Sequence, residues 1–370
     1  MPASRRRAIG LMSGTSIDAI DVALVETDGE EIAALGPATS IPYAAALRGA
    51  LRAALGRLDG CEELGRALTA AHAAAVASFL EANGIARNAV DVVGFHGHTL
   101  AHRPDLGRTR QLGDPAGLAL ALGIDVVGDF RQADVAAGGQ GAPLAPIYHA
   151  RLLDHLAGGG QALAWPVAVL NIGGVANLTY VEAARAQPER LLAFDTGPGN
   201  ALIDDWVLAA TGEAFDRDGR LAAAGRADGA AVKALLDHPY FARRPPKSLD
   251  RDAFAAPAPS SETSPADRAA TLTAFTVESV VRAREHLPLP PGCWLVTGGG
   301  RRNRYLVESL ARRLAAPVRA IEAVGGRGDS LEAEAFAFMA VRALRSLPIS
   351  FPGTTGVPAP MAGGVVYRPG

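Results

Sequence analysis

Asp195 stands at the head of Asp195-Thr196-Gly197-Pro198-Gly199-Asn200, where a predicted strand gives way to glycine-rich backbone. A carboxylate there can orient a nucleophile or take its proton. An aspartate before Gly-Pro-Gly can equally form a turn that caps a helix over 201–211. Residues 10–21, GLMSGTSIDAID, run from apolar residues into Gly14, Thr15 and Ser16, and Asp18 and Asp21 follow at once. Glycine lets backbone N–H groups approach an anion with no Cβ in the way, and the two hydroxyls add donors. A similar turn recurs at Gly173 and Gly174, followed by Asn177, and a third cluster, Gly298, Gly299 and Gly300, precedes Asn303. One such turn is weak, because most glycine hairpins are only hairpins. Here two open similar strand–turn–strand regions, and the third lies between a strand and a helix, where nucleotides dock on α/β scaffolds.

The surrounding pattern supplies elements to hold these turns. Residues 7–12, 20–26 and 31–41 read as strands of an antiparallel meander, with the Gly14 loop as its first turn. Helices are predicted over 43–57 and 62–83, stopped by Asn83-Gly84, and a short buried strand over 90–95. Helix 115–122 and strand 124–128 lead to a glycine-rich stretch, 136–143, where a domain crossing is expected. Helix 144–156 precedes strands 166–171, 175–181 and 191–194 and helix 201–211. Each half therefore opens with a strand, a polar glycine turn and a returning strand, as an internal duplication would. Helix 266–286, strand 293–297 and helices 303–315 and 330–346 complete the pattern, and the Pro- and Gly-rich tail 348–370 reads as irregular.

The bulk numbers limit the chemistry. The chain has 370 residues, enough for two domains. Lys and Arg total 36 against 38 Asp and Glu, so there is no basic field and nucleic acid is not an expected partner. Lys233 and Lys247 are its two lysines, and neither follows a glycine, which excludes a Walker A loop. Cys61 and Cys293 form no CxxC, so neither a disulfide framework nor a thiolate metal site is expected. His96, His98 and His102 straddle a glycine without a fourth ligand nearby, and a sugar-contacting loop is a better reading than zinc. The basic start lacks a signal-length apolar run, and no window is long enough for a membrane helix. A cytoplasmic protein is expected.

Two glycine hairpins and a later strand–Gly-Gly-Gly–helix resemble the phosphate and adenosine motifs of the actin, Hsp70 and sugar-kinase superfamily. The segments GLMSGTSIDAID, GFHGHT, DFRQADVAAGGQGAPL, NIGGVANLT, FDTGPGNALID, PPKSLDRDAF, VTGGGRRN and LEAEAFAFMA then resemble, in order and over nearly the whole chain, those of anhydro-N-acetylmuramic acid kinases. That resemblance implies an α/β fold of two duplicated actin-like (ribonuclease H-like) domains flanking an ATP cleft. The first would hold 1–130 plus about 345–370, and the second 131–344. It implies a kinase that uses ATP and Mg²⁺ to phosphorylate O6 of 1,6-anhydro-N-acetylmuramic acid while water opens the anhydro bridge, in cell-wall recycling. A homodimer acting on small molecules alone is implied, with no membrane partner.

Carried over residue by residue, the resemblance makes Asp195 the general base. It assigns Gly14, Thr15, Ser16, Ile17, Asp18, Ala19, Ile20, Asp21, Gly173, Gly174, Asn177, Gly298, Gly299, Gly300 and Asn303 to ATP. His96, Thr99, Arg131, Asp134 and Glu332 would bind the sugar, and Asp18 would meet Mg²⁺ through water. Ordinary duties stand beside these: Asp21 on the exposed face of an edge strand, Asn303 as a helix cap, the Gly173 turn as a plain hairpin. The chain departs from the family pattern at His98, where Gln is usual, at Ala133, where Arg is common, and at Glu334, which is expected to be solvated. A kinase for another sugar, or an ATP-binding switch without turnover, is compatible with the same scaffold.

Overall fold

The computed structural model describes residues 4–14, 17–249, 254 and 263–370. Thr15 and Ser16 lie outside the described residues. The chain divides into two compact units: residues 1–159, 187–189 and 329–370, and residues 160–186 and 190–328.

In the first unit β1 (Arg6–Ser13), β2 (Ala19–Thr27) and β3 (Ile32–Pro42) form the expected antiparallel meander. β4 (Val92–Arg103) lies parallel to β1, β5 (Arg108–Leu112) folds back on β4, and β6 (Val126–Gly128) extends the sheet in parallel. Side chains alternate across the sheet. Ile9, Leu11, Val22 and Val93 face a core completed by Leu51, Leu68, Val76 and Phe79 of helices Ala45–Ala54 and Glu62–Ala82. On the other face Gly10 and Gly94, paired across β1 and β4, admit helix Leu331–Leu344 to backbone distance. A Cβ on Gly10 would lie 1.8 Å from the Ala333 carbonyl oxygen, and one on Gly94 2.1 Å from that of Phe336.

The second unit repeats the plan. β7 (Val167–Ile172), β8 (Val175–Val181) and β9 (Leu192–Pro198) form a second meander, and β10 (Cys293–Thr297) and β11 (Val318–Ala320) add to β7 in parallel. The order β3-β2-β1-β4-β6 therefore has its counterpart in β9-β8-β7-β10-β11, strand for strand and direction for direction. This is the duplicated α/β architecture expected of two ribonuclease H-like domains. Ala168, Leu170, Ile172, Phe194, Trp294 and Val296 pack against Leu306, Leu310 and Leu314 of helix Arg304–Leu314. Those leucines recur every four residues on one helix face, and full burial of each contributes roughly 1.5–3 kcal/mol.

Three expectations change. The strand placed at 90–95 continues to Arg103, because the polar stretch Arg108–Leu112 supplies it with a partner. His96, His98, Thr99 and His102 therefore lie within a strand, not a loop. The tail read as irregular forms β12 (Pro348–Ser350), β13 (Met361–Ala362) and β14 (Val365–Tyr367). β14 pairs antiparallel with β6 and covers that edge of the first sheet. Residues 131–159 and 329–344 fall in the first unit, unlike in the division read from the sequence. Their anchors are the glycine-seated helix Leu331–Leu344 and Tyr148 Oη, which donates to Glu334 Oε2.

Candidate active site

Asp195 lies in the middle of β9, half-buried, opposite Asn177 of β8. It does not cap the following helix; Asn200 occupies that position before Ala201–Thr211. Its Oδ2 accepts the Leu249 N–H at 2.7 Å, its own N–H donates to the Lys247 carbonyl at 3.0 Å, and its carbonyl accepts from Tyr240 Oη at 2.5 Å. A carboxylate that accepts a backbone N–H is fixed in direction as well as place, which suits a group meant to orient or deprotonate one molecule.

The second unit's glycine turns surround the end of the same sheet. Gly173 and Gly174 close the β7–β8 hairpin, and their carbonyls accept N–H groups of Asn200 (2.7 Å) and Gly199 (2.9 Å). A Cβ on Gly199 would lie 2.2 Å from the Gly173 oxygen, so the two loops approach as only glycine allows. Gly298 follows β10 at φ 72°, and a Cβ there would strike Asn171 Oδ1 at 2.3 Å. Gly299 is exposed and Gly300 buried against Ile172. Asn303 caps helix Arg304–Leu314, its Oδ1 accepting the Leu306 N–H at 3.0 Å. The cap reading of Asn303 is therefore realised, and any ATP contact has to come in addition.

In the first unit Gly14 ends the β1 side of the hairpin, and its carbonyl accepts the Ile17 N–H at 3.0 Å. Ile17 is buried at φ 56°, a strained conformation for a β-branched residue. Ala19 and Ile20 begin β2. Asp18 is exposed and paired with Arg48 at 2.8 Å. Asp21 is not on an edge strand, since β2 lies between β1 and β3. Burial pushes its carboxyl up to about 6, despite a hydrogen bond from Ser40, and Asp329 and Asp18 add to the rise. Among the described residues no group of three metal-ligating side chains comes together. An ion here would depend on one or two carboxylates plus phosphate oxygens, as Mg²⁺ commonly does, and Asp18 is the exposed one.

Of the residues assigned to the sugar, His96, Asp134 and Glu332 group around Arg131. Its Nε donates to His96 Nε2 at 3.0 Å and its Nη1 to the Gly141 carbonyl at 2.7 Å. His96 Nδ1 is 2.9 Å from the Gly97 carbonyl, so the ring is held between a donor and an acceptor. Burial, helped by the Arg131 charge, keeps this imidazole well below its ordinary pKa and neutral. Asp21 and Arg131 also act on Glu332: solvent reaches its side chain, yet desolvation raises its carboxyl, with Arg131 opposing and Asp21 adding. Thr99 accepts from Gln111 at 3.1 Å. Asp134 is spent on the fold: Oδ1 accepts the Gly141 N–H and Oδ2 the Thr355 hydroxyl, both at 2.6 Å. His98 turns to the hairpin instead, with Nδ1 2.9 Å from Ser13 Oγ, which also accepts from Tyr43.

Residues 6–369 match the family model described as anhydro-N-acetylmuramic acid kinase. The chain belongs to the anhydro-N-acetylmuramic acid kinase family. A relative of that name from Paramagnetospirillum magneticum is 54% identical over 98% of this chain and 99% of its own. One from Nitrobacter winogradskyi is 51% identical over 98% and 99%, and one from Rhodospirillum rubrum 52% identical over 97% and 94%. Within this anhydro-N-acetylmuramic acid kinase family member, two departures from the family pattern have concrete surroundings. Ala133 is exposed beside Asp134. Glu334, expected to be solvated, is fully buried and bonded by Tyr148 and, at 2.9 Å, Ser330, because helix Leu331–Leu344 turns that side chain inward.

Sequence reasoning missed two residues of the site. Leu249 acts through its backbone N–H, which leaves no side-chain signal. Lys247 did leave one: it is one of two lysines in an arginine-rich chain, and it is buried while Lys233 is exposed.

Proposed function

We propose that this chain uses ATP to phosphorylate O6 of 1,6-anhydro-N-acetylmuramic acid while water opens the anhydro bridge. Asp195 takes a proton from the water as its oxygen bonds to the anomeric carbon. The bond from that carbon to O6 breaks, and O6 becomes the nucleophile toward the γ-phosphorus. The products are N-acetylmuramic acid 6-phosphate and ADP. Such transfer depends on positioning and charge stabilisation more than on covalent chemistry from the protein. The observation that carries the reading is a whole-length family match in a chain whose Asp195 carboxylate is fixed by a backbone N–H.

In this reading Gly14, Ile17, Ala19, Ile20 and Asp21, with Gly173, Gly174 and Asn177, serve the phosphates. Gly298, Gly299, Gly300 and Asn303 serve the adenosine side. Mg²⁺ would neutralise phosphate charge, with Asp18 reaching it through water. His96, Thr99, Arg131 and Glu332 bind the sugar, and Asp134 holds the glycine-rich loop beside Arg131. We assign the activity to cell-wall recycling in the cytoplasm, by a homodimer. Among the described residues no helix is long and apolar enough to cross a membrane.

Purified protein incubated with Mg-ATP and the anhydro sugar should give equimolar ADP and a 6-phosphorylated reducing sugar. Folded protein that forms neither overturns the proposal. Phosphorylation of a different sugar from a panel would keep the kinase and replace its substrate. Asp195→Asn should keep ATP affinity and lower kcat by roughly 10²–10⁴, the usual contribution of a general base.

A further inference from the structure

Asp195 is gripped by one short stretch of its own unit. The three bonds to its carbonyl, its N–H and its Oδ2 all come from residues 240–249. Lys247 ties that stretch to itself. Its Nζ donates to the Tyr240 carbonyl at 3.3 Å and lies over the Tyr240 ring, 4.6 Å from the centroid. The same ammonium is 5.9 Å from the ring centre of Phe194, the residue before Asp195, and 3.5 Å from His286 Nε2. Lys247 is only 4% exposed.

A buried ammonium is expensive. Removing an ion from water costs several kcal/mol unless partners replace the solvent. Methionine would fill the same ring-lined space without that cost. The nearby charges do not explain the ion either: Arg243 and Arg282 repel it and Glu285 opposes them, and burial with those arginines pulls its pKa to about 8. What the ammonium does gain is a carbonyl and an aromatic face at once, which suits a compact donor better than a planar guanidinium. Both partners belong to Tyr240, whose hydroxyl reaches Asp195.

We infer that Lys247 is a positioning residue: its ammonium pins residues 240–249 in the shape that lets Tyr240 Oη and the Leu249 N–H hold Asp195 in one orientation. This rests on Asp195 being the base. Without the ammonium the stretch relaxes, the carboxylate samples other directions, and kcat falls while substrate binding is kept.

The test compares Lys247→Met, Tyr240→Phe, their double variant and Asp195→Asn with the unaltered protein. Each is measured for Tm and for kcat and KM with ATP and the anhydro sugar. Lys247→Met should lower kcat about 10- to 100-fold with both KM values within about twofold, and Tyr240→Phe about 5- to 10-fold. Because both act on one lever, the double variant should lose little more than Lys247→Met alone. Near-normal kcat in Lys247→Met while Asp195→Asn is inactive overturns the inference and leaves the base intact. Losses that multiply, or a raised KM at unchanged kcat, overturn it as well. A fast Asp195→Asn refutes the base itself. If Lys247→Met does not fold, Tyr240→Phe decides alone, since it deletes a single hydroxyl: unchanged kcat there refutes the clamp.

Discussion

The two units share one strand plan but seat their helices differently. In the first unit helix Leu331–Leu344 rides on Gly10 and Gly94, close enough that no Cβ fits. Four residues before each hairpin's first glycine, Gly10 has Val169 as its counterpart, and Val169 pairs with Leu295 where Gly10 pairs with Gly94. Both are buried side chains, so no helix can come to backbone distance there. In the second unit a sheet glycine meets a helix at Gly197 of β9, where a Cβ would lie 2.5 Å from the Ser279 side chain of helix Pro265–Ala283. Backbone distance to that helix is reached outside the sheet, at Gly225, where a Cβ would lie 2.1 Å from the Ala266 carbonyl. The difference tracks the chemistry. In each unit a sheet glycine closes on a helix at an element that carries a proposed site carboxylate: the helix with Glu332 in one, the strand with Asp195 in the other.

The largest test of that contrast is Gly10→Val. The added side chain must displace the Ala333 backbone, so a loss of about 4 kcal/mol or more in chemical denaturation is expected, with little folded protein recovered. Gly173→Ala, in the second unit's hairpin, meets nothing closer than 3.6 Å. It should change stability by less than about 1 kcal/mol, and any loss should appear as a raised KM for ATP. Equal destabilisation by the two would end the claim that only the first unit's sheet depends on a helix seated at backbone distance.

A pH experiment sharpens the first unit's side. The Asp21 carboxyl is raised to about 6 from its ordinary 3.8, so between those values the folded state holds more protons than the unfolded one. Stability from this group is therefore present at low pH and lost as pH rises through that window. Asp21→Asn should match the unaltered protein in Tm near pH 4 and exceed it above pH 7. A parallel pH dependence in both proteins would place the cause elsewhere. The smallest effect is expected at Asp18. Its pair with Arg48 is solvent-exposed, so Asp18→Asn should shift stability by less than about 0.5 kcal/mol. A change in the Mg²⁺ concentration that half-saturates turnover is the readout that would give Asp18 a part in metal binding.

The meanders and glycine turns were legible in the sequence because strand alternation and glycine placement are local. β5 and β14 were not: Arg108–Leu112 is polar and Val365–Tyr367 is three residues long, and each is a strand because a partner waits for it. The buried state of Glu334 was equally hidden, since one carboxylate on a helix looks solvated until Tyr148 and Ser330 turn toward it. Asp195 was singled out through the motif around it. The bonds that fix it come from about 50 residues away, and two of the three involve backbone atoms of that distant stretch, which no pattern of side chains announces.

The pairing of β14 with β6, together with the helix seated on Gly10 and Gly94, has a consequence for the order of synthesis. On the ribosome, residues 160–328 are complete while the first sheet still lacks its covering helix and its edge strand. At about 5–20 residues per second, the last forty or so residues take several seconds to arrive. Throughout that interval the nascent chain presents a bare sheet face, so the first half made is the last half finished.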